Sequence, residues 1–258
     1  MRELELARRL AVEAGDFLLR HAGGRRRVRY KGRGSFNPVT EMDRASEERI
    51  VRGIRRAFPD HAIVAEEGGA RGDSPCCWYV DPLDGTTNYA HGLPLWGVSV
   101  GFAVRGRVEA GVVYAPALGS LFWAARGRGA FRNGRPIRVS RTRRLAEALL
   151  ATGFPYREPG RSRNLRLFGA FMARAQAIRR PGAASLDLAW LAAGALDGFW
   201  EFDLGAWDLA AGTVLAEEAG ARVTDFQGAP LNLSAGQVVA ANPAIHRAML
   251  AVLRRVPR

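Results

Sequence analysis

Apolar residues at Leu4, Leu6, Leu10, Val12, Phe17 and Leu18 recur at the spacing of one helical face and stop near Gly23 and Gly24, so the chain is expected to begin with an amphipathic helix. A second helix is predicted over residues 40–58. Thr40 can cap it with Asp43 three residues on, Ile50, Val51, Ile54 and Phe58 repeat at helical spacing, and Pro59 stops it. A short strand at 63–65 ends in Glu66 and Glu67. Another at 77–80 places Asp81 where the strand leaves the core and Asp84 one tight turn later. From 95 to 139 the pattern is of short strands broken by Arg105-Gly106, residues 116–119 and Asn133-Gly134, which predicts an antiparallel meander. After about residue 145, strands at 148–152, 198–202, 221–224 and 237–241 alternate with helices at 164–177, 185–193, 207–219 and 243–252. The fold class expected is α+β, in two halves, 1–144 and 145–258. The first holds an antiparallel sheet with helices and the second a mixed sheet with helices.

At 258 residues and 48% apolar content the chain can bury a large core, which excludes global disorder. It holds no run of eighteen apolar residues, and its charged N-terminus is unlike a signal peptide, so a cytoplasmic protein with no membrane partner is expected. Cys76 and Cys77 are adjacent, which suits neither a disulfide nor a zinc site, and they are read as packing residues. A net charge of +13 raises the question of nucleic acid, with arginine clusters at 25–27, 141–144 and 161–166. Lys31 is the only lysine, however, and no cluster is interleaved with stacking aromatics. The charge reads as a chain-wide bias toward arginine, and nucleic acid is not the partner expected.

Four separated segments end their apolar runs in acid: NPVTEMD (37–43), VAEEGG (64–69), VDPLDGTTN (80–88) and GAWDLAAG (205–212). Singly, each is explained by a turn, a solvated loop or a helix cap. If the fold gathers them, two like charges about 4 Å apart repel by roughly 4 kcal/mol at an effective dielectric of 20. Such a cluster calls for cations, and oxygen ligands without matching Cys or His select a hard ion, Mg²⁺ first. Within DPLDG, Pro82 fixes the backbone, Leu83 can turn its carbonyl inward, and Gly85 lets the chain approach a ligand closely. The backbone N–H groups of Gly85, Thr86 and Thr87 can cradle phosphate if they open a helical turn, with the Thr86 hydroxyl orienting an attacking water.

These motifs in this order, followed by EEAGA (217–221), resemble the inositol monophosphatase family, part of the lithium-sensitive, Mg²⁺-dependent phosphatase superfamily that includes fructose 1,6-bisphosphatases. The resemblance runs from the N-terminal helix to ANPAIHRAML (241–250), with the signatures DPLDGTTN and WDLAAG intact. It implies a layered αβαβα sandwich of the sugar-phosphatase type, with most metal ligands in 1–144 and Asp208 and the substrate residues in 145–258. It further implies two or three Mg²⁺ ions. Glu66, Asp81 and the Leu83 carbonyl would hold the first, Asp81, Asp84 and Asp208 the second, and Glu66 would help a weaker third. Asp43 would accept a hydrogen bond from Thr86, which with Glu66 readies a metal-activated water, and Glu67 would stand behind the ligands. On the substrate side, RRPGAAS (179–185) offers Gly182, Ala183 and Ala184, joined by Asp84, Gly85, Thr86 and Asp208, while Glu201 would receive sugar or inositol hydroxyls. Ala183 stands where many relatives have Ser or Thr, Asn37 where Asp is frequent, and Asp187 is read as structural.

The function implied is hydrolysis of a small phosphate monoester, inositol monophosphate first, by a homodimer acting on a phosphorylated polyol or sugar. No covalent phosphoenzyme is expected, since no Cys stands in a phosphate-loop pattern and Asp81 and Asp84 are three apart. Fructose 1,6-bisphosphate, histidinol phosphate and a 3′-phosphoadenosine nucleotide are the alternative substrates; Glu201 favours an uncharged hydroxyl-rich leaving group, while Arg179 or Arg180 leaves a second phosphate open. The alternative outside enzymes is a basic nucleic-acid-associated protein on the same scaffold.

Overall fold

The helix expected at the N-terminus forms as α1 (Arg2–Arg20), burying Leu4, Leu6, Leu10 and Leu18. The second, α2 (Glu41–Ala57), starts at the Thr40 cap, whose Oγ1 accepts the N–H of Met42 at 3.1 Å. The structure, a computed structural model, describes residues 1–23, 29–30, 38–156 and 160–256. The arginines at 25–27, Lys31 and Asn37 lie outside the described residues.

Two short strands, β1 (Arg29–Tyr30) and β2 (Pro38–Val39), pair with each other ahead of α2. The first large sheet is built from β3 (Ala62–Ala65), β4 (Gly69–Arg71), β5 (Cys76–Asp84), β6 (Gly97–Val104), β7 (Arg107–Ala115), β8 (Ser120–Ala125), β9 (Ala130–Arg132) and β10 (Arg135–Ile137). Its order is β10-β9-β8-β7-β6-β5-β3-β4, and only β3 and β5 are parallel. The meander expected over 95–139 is therefore β6 to β10, each strand antiparallel to the next. A short helix, α3 (Thr86–Ala90), follows β5. The second sheet holds β11 (Leu149–Thr152), β12 (Ala177–Arg179), β13 (Gly198–Phe202), β14 (Arg222–Thr224) and β15 (Gln237–Ala241) in the order β12-β11-β13-β15-β14, with parallel and antiparallel pairs. Its helices are α4 (Gly160–Met172), α5 (Ala184–Ala192), α6 (Ala206–Glu218) and α7 (Pro243–Leu253).

Packing sorts these elements into five layers. Helices α1 and α2 cover one face of the eight-stranded sheet, and α5 and α6 fill the space between the sheets. Helices α4 and α7 cover the outer face of the five-stranded sheet, where Phe171, Trp200 and Met249 meet. The middle helices are apolar around nearly their whole circumference, as a helix between two sheets must be. The approach of α6 is close: a Cβ on Gly101 would come within 2.7 Å of Ala210, and one on Gly111 within 2.6 Å of Ala211. The architecture is the αβαβα sandwich expected. No described helix is long and apolar enough to cross a membrane.

Three local expectations are corrected. Strand β5 does not end at Val80 but runs to Asp84, and its register with β6 slips by one residue between the pairs Asp81–Ser99 and Asp84–Gly97. The added residue is a bulge, which bends the strand and re-aims its side chains. The helix expected over 164–177 is α4 at Gly160–Met172, and Ala177–Arg179 is the edge strand β12. Gly69–Arg71, where no strand was expected, is the edge strand β4.

Candidate active site

The bulged end of β5 presents Asp81, Leu83 and Asp84 to a cavity of about 530 Å³, whose opposite wall comes from the second half of the chain. Asp81 is 1% exposed and Asp84 8%, and Asp208 joins them from the first turn of α6. One carboxylate oxygen from each of these three acids lies within 4.8 Å of the others. Glu66, just after β3, lines the same cavity, and its charge is among the causes that raise the Asp81 and Asp208 carboxyls. Burial is the first cause of the raised pKa at Asp81, Asp84 and Asp208. At Asp81 it is followed by repulsion from Glu66, Asp84 and Asp208. Each acid is nevertheless held in place. The Leu83 N–H donates to Asp81 Oδ1 at 3.0 Å, Gly205 N–H to Asp208 Oδ2 at 2.6 Å, and both Ser185 N–H and Ser185 Oγ to Asp84 Oδ2, at 2.7 and 2.6 Å.

This arrangement fits a divalent cation. The converging donors are all carboxylate oxygens, two of the three acids are buried, and no ion pair from Lys, Arg or His to any of them is present among the described residues. A cluster that repels itself when ionised is neutralised either by protons or by metal.

Beside it stands a hydroxyl–carboxylate pair. Thr86 Oγ1 lies 2.8 Å from Asp43 Oδ1 and 3.0 Å from the Leu83 carbonyl, and its single proton can serve one of them at a time. Asp43, 1% exposed, also accepts the Thr40 N–H at 2.7 Å and the Thr40 hydroxyl at 2.5 Å, both at Oδ2. The capping box of α2 thus orients the carboxylate that faces Thr86. Burial raises the Asp43 carboxyl while the Thr40 and Thr86 donors oppose the rise. Gly85 enters α3 at φ +86°, and a Cβ there would meet the Leu95 carbonyl oxygen at 2.8 Å, so glycine is required twice over.

The far wall comes from three segments. Gly182 turns at φ +87° before α5, with Ala183 at the helix cap and Ala184 at its first position, and all three line the cavity. Glu201 projects from β13 at 9% exposure, its carboxyl pushed up to about 8 by burial and then by Asp208 and Asp84, with Arg180 opposing. Gly153, after β11, leaves the space that the Glu201 carboxylate fills, since a Cβ would collide with it. Of the two arginines considered, Arg180 lines the cavity, whereas the Arg179 guanidinium donates to the Ile178 carbonyl at 3.2 Å. Asp187, on α5, is 1% exposed with neither carboxylate oxygen hydrogen-bonded, and burial pushes its carboxyl well above the usual range.

Asp43, Glu66, Asp81, Leu83, Asp84, Gly85, Thr86, Gly182, Ala183, Ala184, Glu201 and Asp208 thus border or support one cavity, whereas Arg179 and Glu67 do not line it. Ser185 and Gly153 were not foreseen. Serine at a helix entry signalled only a cap, and nothing local to Gly153 announces a carboxylate 48 positions away.

Comparison with known proteins decides the family. A model described as the inositol monophosphatase family matches residues 2–258. The chain belongs to the inositol monophosphatase family. Among members, it is 43% identical to a Pseudomonas aeruginosa protein named Nus factor SuhB, over 97% of this chain and 95% of that one. It is 42% identical to an inositol-1-monophosphatase of Synechocystis sp., over 99% and 90%. Its fold is similar to the solved inositol monophosphatase from Anabaena (Nostoc) sp., with a TM-score of 0.89, 40% identity and coverage of 99% and 96%. The family's solved architecture is thus the layered sandwich described above.

Proposed function

We propose that this inositol monophosphatase family member hydrolyses a small phosphate monoester of a hydroxyl-rich alcohol, inositol monophosphate first, with Mg²⁺ as cofactor. The observation that carries the reading is the convergence of Asp81, Asp84 and Asp208 within 4.8 Å beside the Thr86–Asp43 pair. Glu66, Asp81 and the Leu83 carbonyl would hold one ion, Asp81, Asp84 and Asp208 a second, and Glu66 would contribute to a third. When bound, such ions supply the positive charge that makes a water nucleophilic and stabilises the departing oxygen.

The chain's own groups orient the reactants. Thr86 donates its proton to Asp43 Oδ1, which leaves the Oγ1 lone pairs to accept a hydrogen bond from the attacking water. Asp43 holds that direction because its other oxygen is fixed by Thr40. Gly85 and Thr86 offer backbone N–H groups to the phosphoryl oxygens. Helix α3 has only five residues, so these local donors matter more than its macrodipole. Glu201, set back in the far wall, takes the hydroxyls of the leaving group, and Gly182, Ala183 and Ala184 bring bare backbone against it.

A phosphate-release screen over inositol monophosphates, fructose 1,6-bisphosphate, histidinol phosphate and adenosine 3′,5′-bisphosphate, with and without Mg²⁺, tests class and substrate together. The expected result is Mg²⁺-dependent release, largest with inositol monophosphate. The competing reading is a non-enzymatic role on the same scaffold, favoured by the net charge of +13 and by relatives named Nus factor. Salt-dependent retention on nucleic acid with no release from any ester would select it. Lithium inhibition, a homodimer and a cytoplasmic location accompany the proposed enzyme.

A further inference from the structure

Behind the wall of acids lies a second cavity, of about 460 Å³, between α2 and the β3–β4 hairpin. Its floor is apolar, formed by Val51, Ile63 and Ala65, and its sides are charged. Most of those charges are already matched. Arg52 holds Glu48 at 2.5 Å, and the buried Glu47 accepts the Glu67 N–H at 2.8 Å while the Arg71 charge favours it. Four arginines face three glutamates, Glu67 among them, and two of the arginines hold none of these acids. Arg44 and Arg55 line the cavity with no ion pair or hydrogen bond among the described residues.

Their spacing indicates what they would take. Eleven residues apart on α2, their Cα atoms are separated by about 16 Å, a distance that two extended arginines reaching toward each other shorten by roughly half. Val51 lies between them along the same helix, on the cavity floor. Two cationic ends, with Val51 and the paired Glu48 and Arg52 between them, match an elongated dianion.

The cavity is joined to the acid cluster by two pairs of consecutive residues. Asp43 faces Thr86 in the reaction cavity, while Arg44 lines the second one. Glu66 lines the reaction cavity, while Glu67 lines the second. The turn that follows is packed on the same wall, since a Cβ on Gly68 would lie 2.6 Å from Glu47 Oε1. A ligand filling the second cavity would therefore stiffen the segment carrying Glu66 and place negative charge behind the acids. Both effects favour cation binding in front of them.

We propose that this second cavity is a regulatory site for an elongated organic dianion, with an oxyanion at each end for Arg44 and Arg55 and an apolar chain over Val51, Ile63 and Ala65, and that its occupancy tightens divalent-cation binding at Asp81, Asp84 and Asp208. The cation half rests on the metal assignment above; the binding half stands apart from it.

The test is calorimetric titration of the metal-free protein with adipate and with butane-1,4-diphosphonate, taking hexanoate as the single-charge control. Arg180 also lines the reaction cavity, so loss of binding in the Arg44/Arg55 variant is what assigns the dianion to the second cavity. The expected result is saturable one-to-one binding of at least one dianion, about tenfold tighter than hexanoate and weakened at least about tenfold in the Arg44→Ala/Arg55→Ala variant. The tighter of the two dianions identifies carboxylate or phosphate as the natural end group. Absence of saturable binding by both, or equal binding by the double variant, overturns the site. Adipate should also tighten Mg²⁺ binding about fivefold, with Mg²⁺ tightening adipate by the same factor. An unchanged Mg²⁺ isotherm at saturating adipate overturns the coupling. Because the readout is binding, a protein that releases no phosphate but binds adipate would lose the proposed reaction and keep the site.

Discussion

The two walls of the reaction cavity are made differently. The wall of acids is one run of chain from Asp81 to Thr86, completed by Asp43, Glu66 and Asp208, and its charges are pinned by the backbone N–H groups of Thr40, Leu83 and Gly205 and by the hydroxyls of Thr40 and Ser185. The far wall is assembled from residues 153–156, 180, 182–184 and 201–205, and its buried acid is less well tied: Glu201 depends on the Gly153 backbone, while Asp187, outside the cavity lining, has no hydrogen bond. A preorganised cluster suits a cation, whose ligands must already be in place. A wall of separate segments can change one residue at a time, which suits selection among leaving groups.

The largest effect should come from breaking the first wall. Asp208→Asn is expected to lower turnover by at least about 10³-fold at saturating Mg²⁺, because a ligand to the charge that assists departure is lost. The same change removes a repelling carboxylate, so the metal-free variant should melt higher than the parent. Near wild-type turnover would contradict the assignment, and thermal denaturation in chelator checks the second part. Thr86→Ala should lower kcat about 10²-fold while a Mg²⁺ titration stays within about twofold, because its role is orientation.

Proton linkage sharpens the comparison further. In Asp81, Asp84, Asp208 and Glu201 the folded carboxyls are raised, Glu201 to about 8. A raised carboxyl contributes stability that is full below its unfolded pKa and is lost as pH rises through its folded pKa. In chelator, the melting temperature should therefore fall as pH climbs from about 4.5 to about 8, and Mg²⁺ should remove the decline. Glu201→Gln should flatten the upper end of that slope, near pH 7 to 8. A slope identical to the parent there would remove Glu201 from the buried charge system. The smallest expected effect is Ser185→Ala, which takes the hydroxyl donor from Asp84 and leaves its backbone donors. A loss of about 1 to 2 kcal/mol in denaturant unfolding is expected, with a few-fold weaker Mg²⁺ response.

How much was legible follows from how local each signal is. Helix α2 was readable because a cap, an apolar stripe and a terminating proline coincide within twenty residues, 40 to 59. The edge strands β4 and β12 were not, since three residues are too few for an alternating pattern and a sheet edge buries little of them. Strand β5 was cut short for another reason: proline and two aspartates read as a turn, and only the ladder to Ser99 and Gly97 shows the strand continuing through a bulge.

By itself, the sequence determined the chemistry on offer: oxygen ligands without thiol or imidazole, a threonine beside them, glycines where the backbone must come close, and a family signature spanning the chain. Those properties reside in residue types and short spacings. Tertiary structure alone decided which acids share a charge environment, that Ser185 fastens Asp84 across 101 positions, that Gly153 makes room for Glu201, and that a second cavity backs onto the first. Electrostatic repulsion and steric exclusion act through space over a few ångströms, and residues so placed are brought together only by the packing of two sheets around α5 and α6.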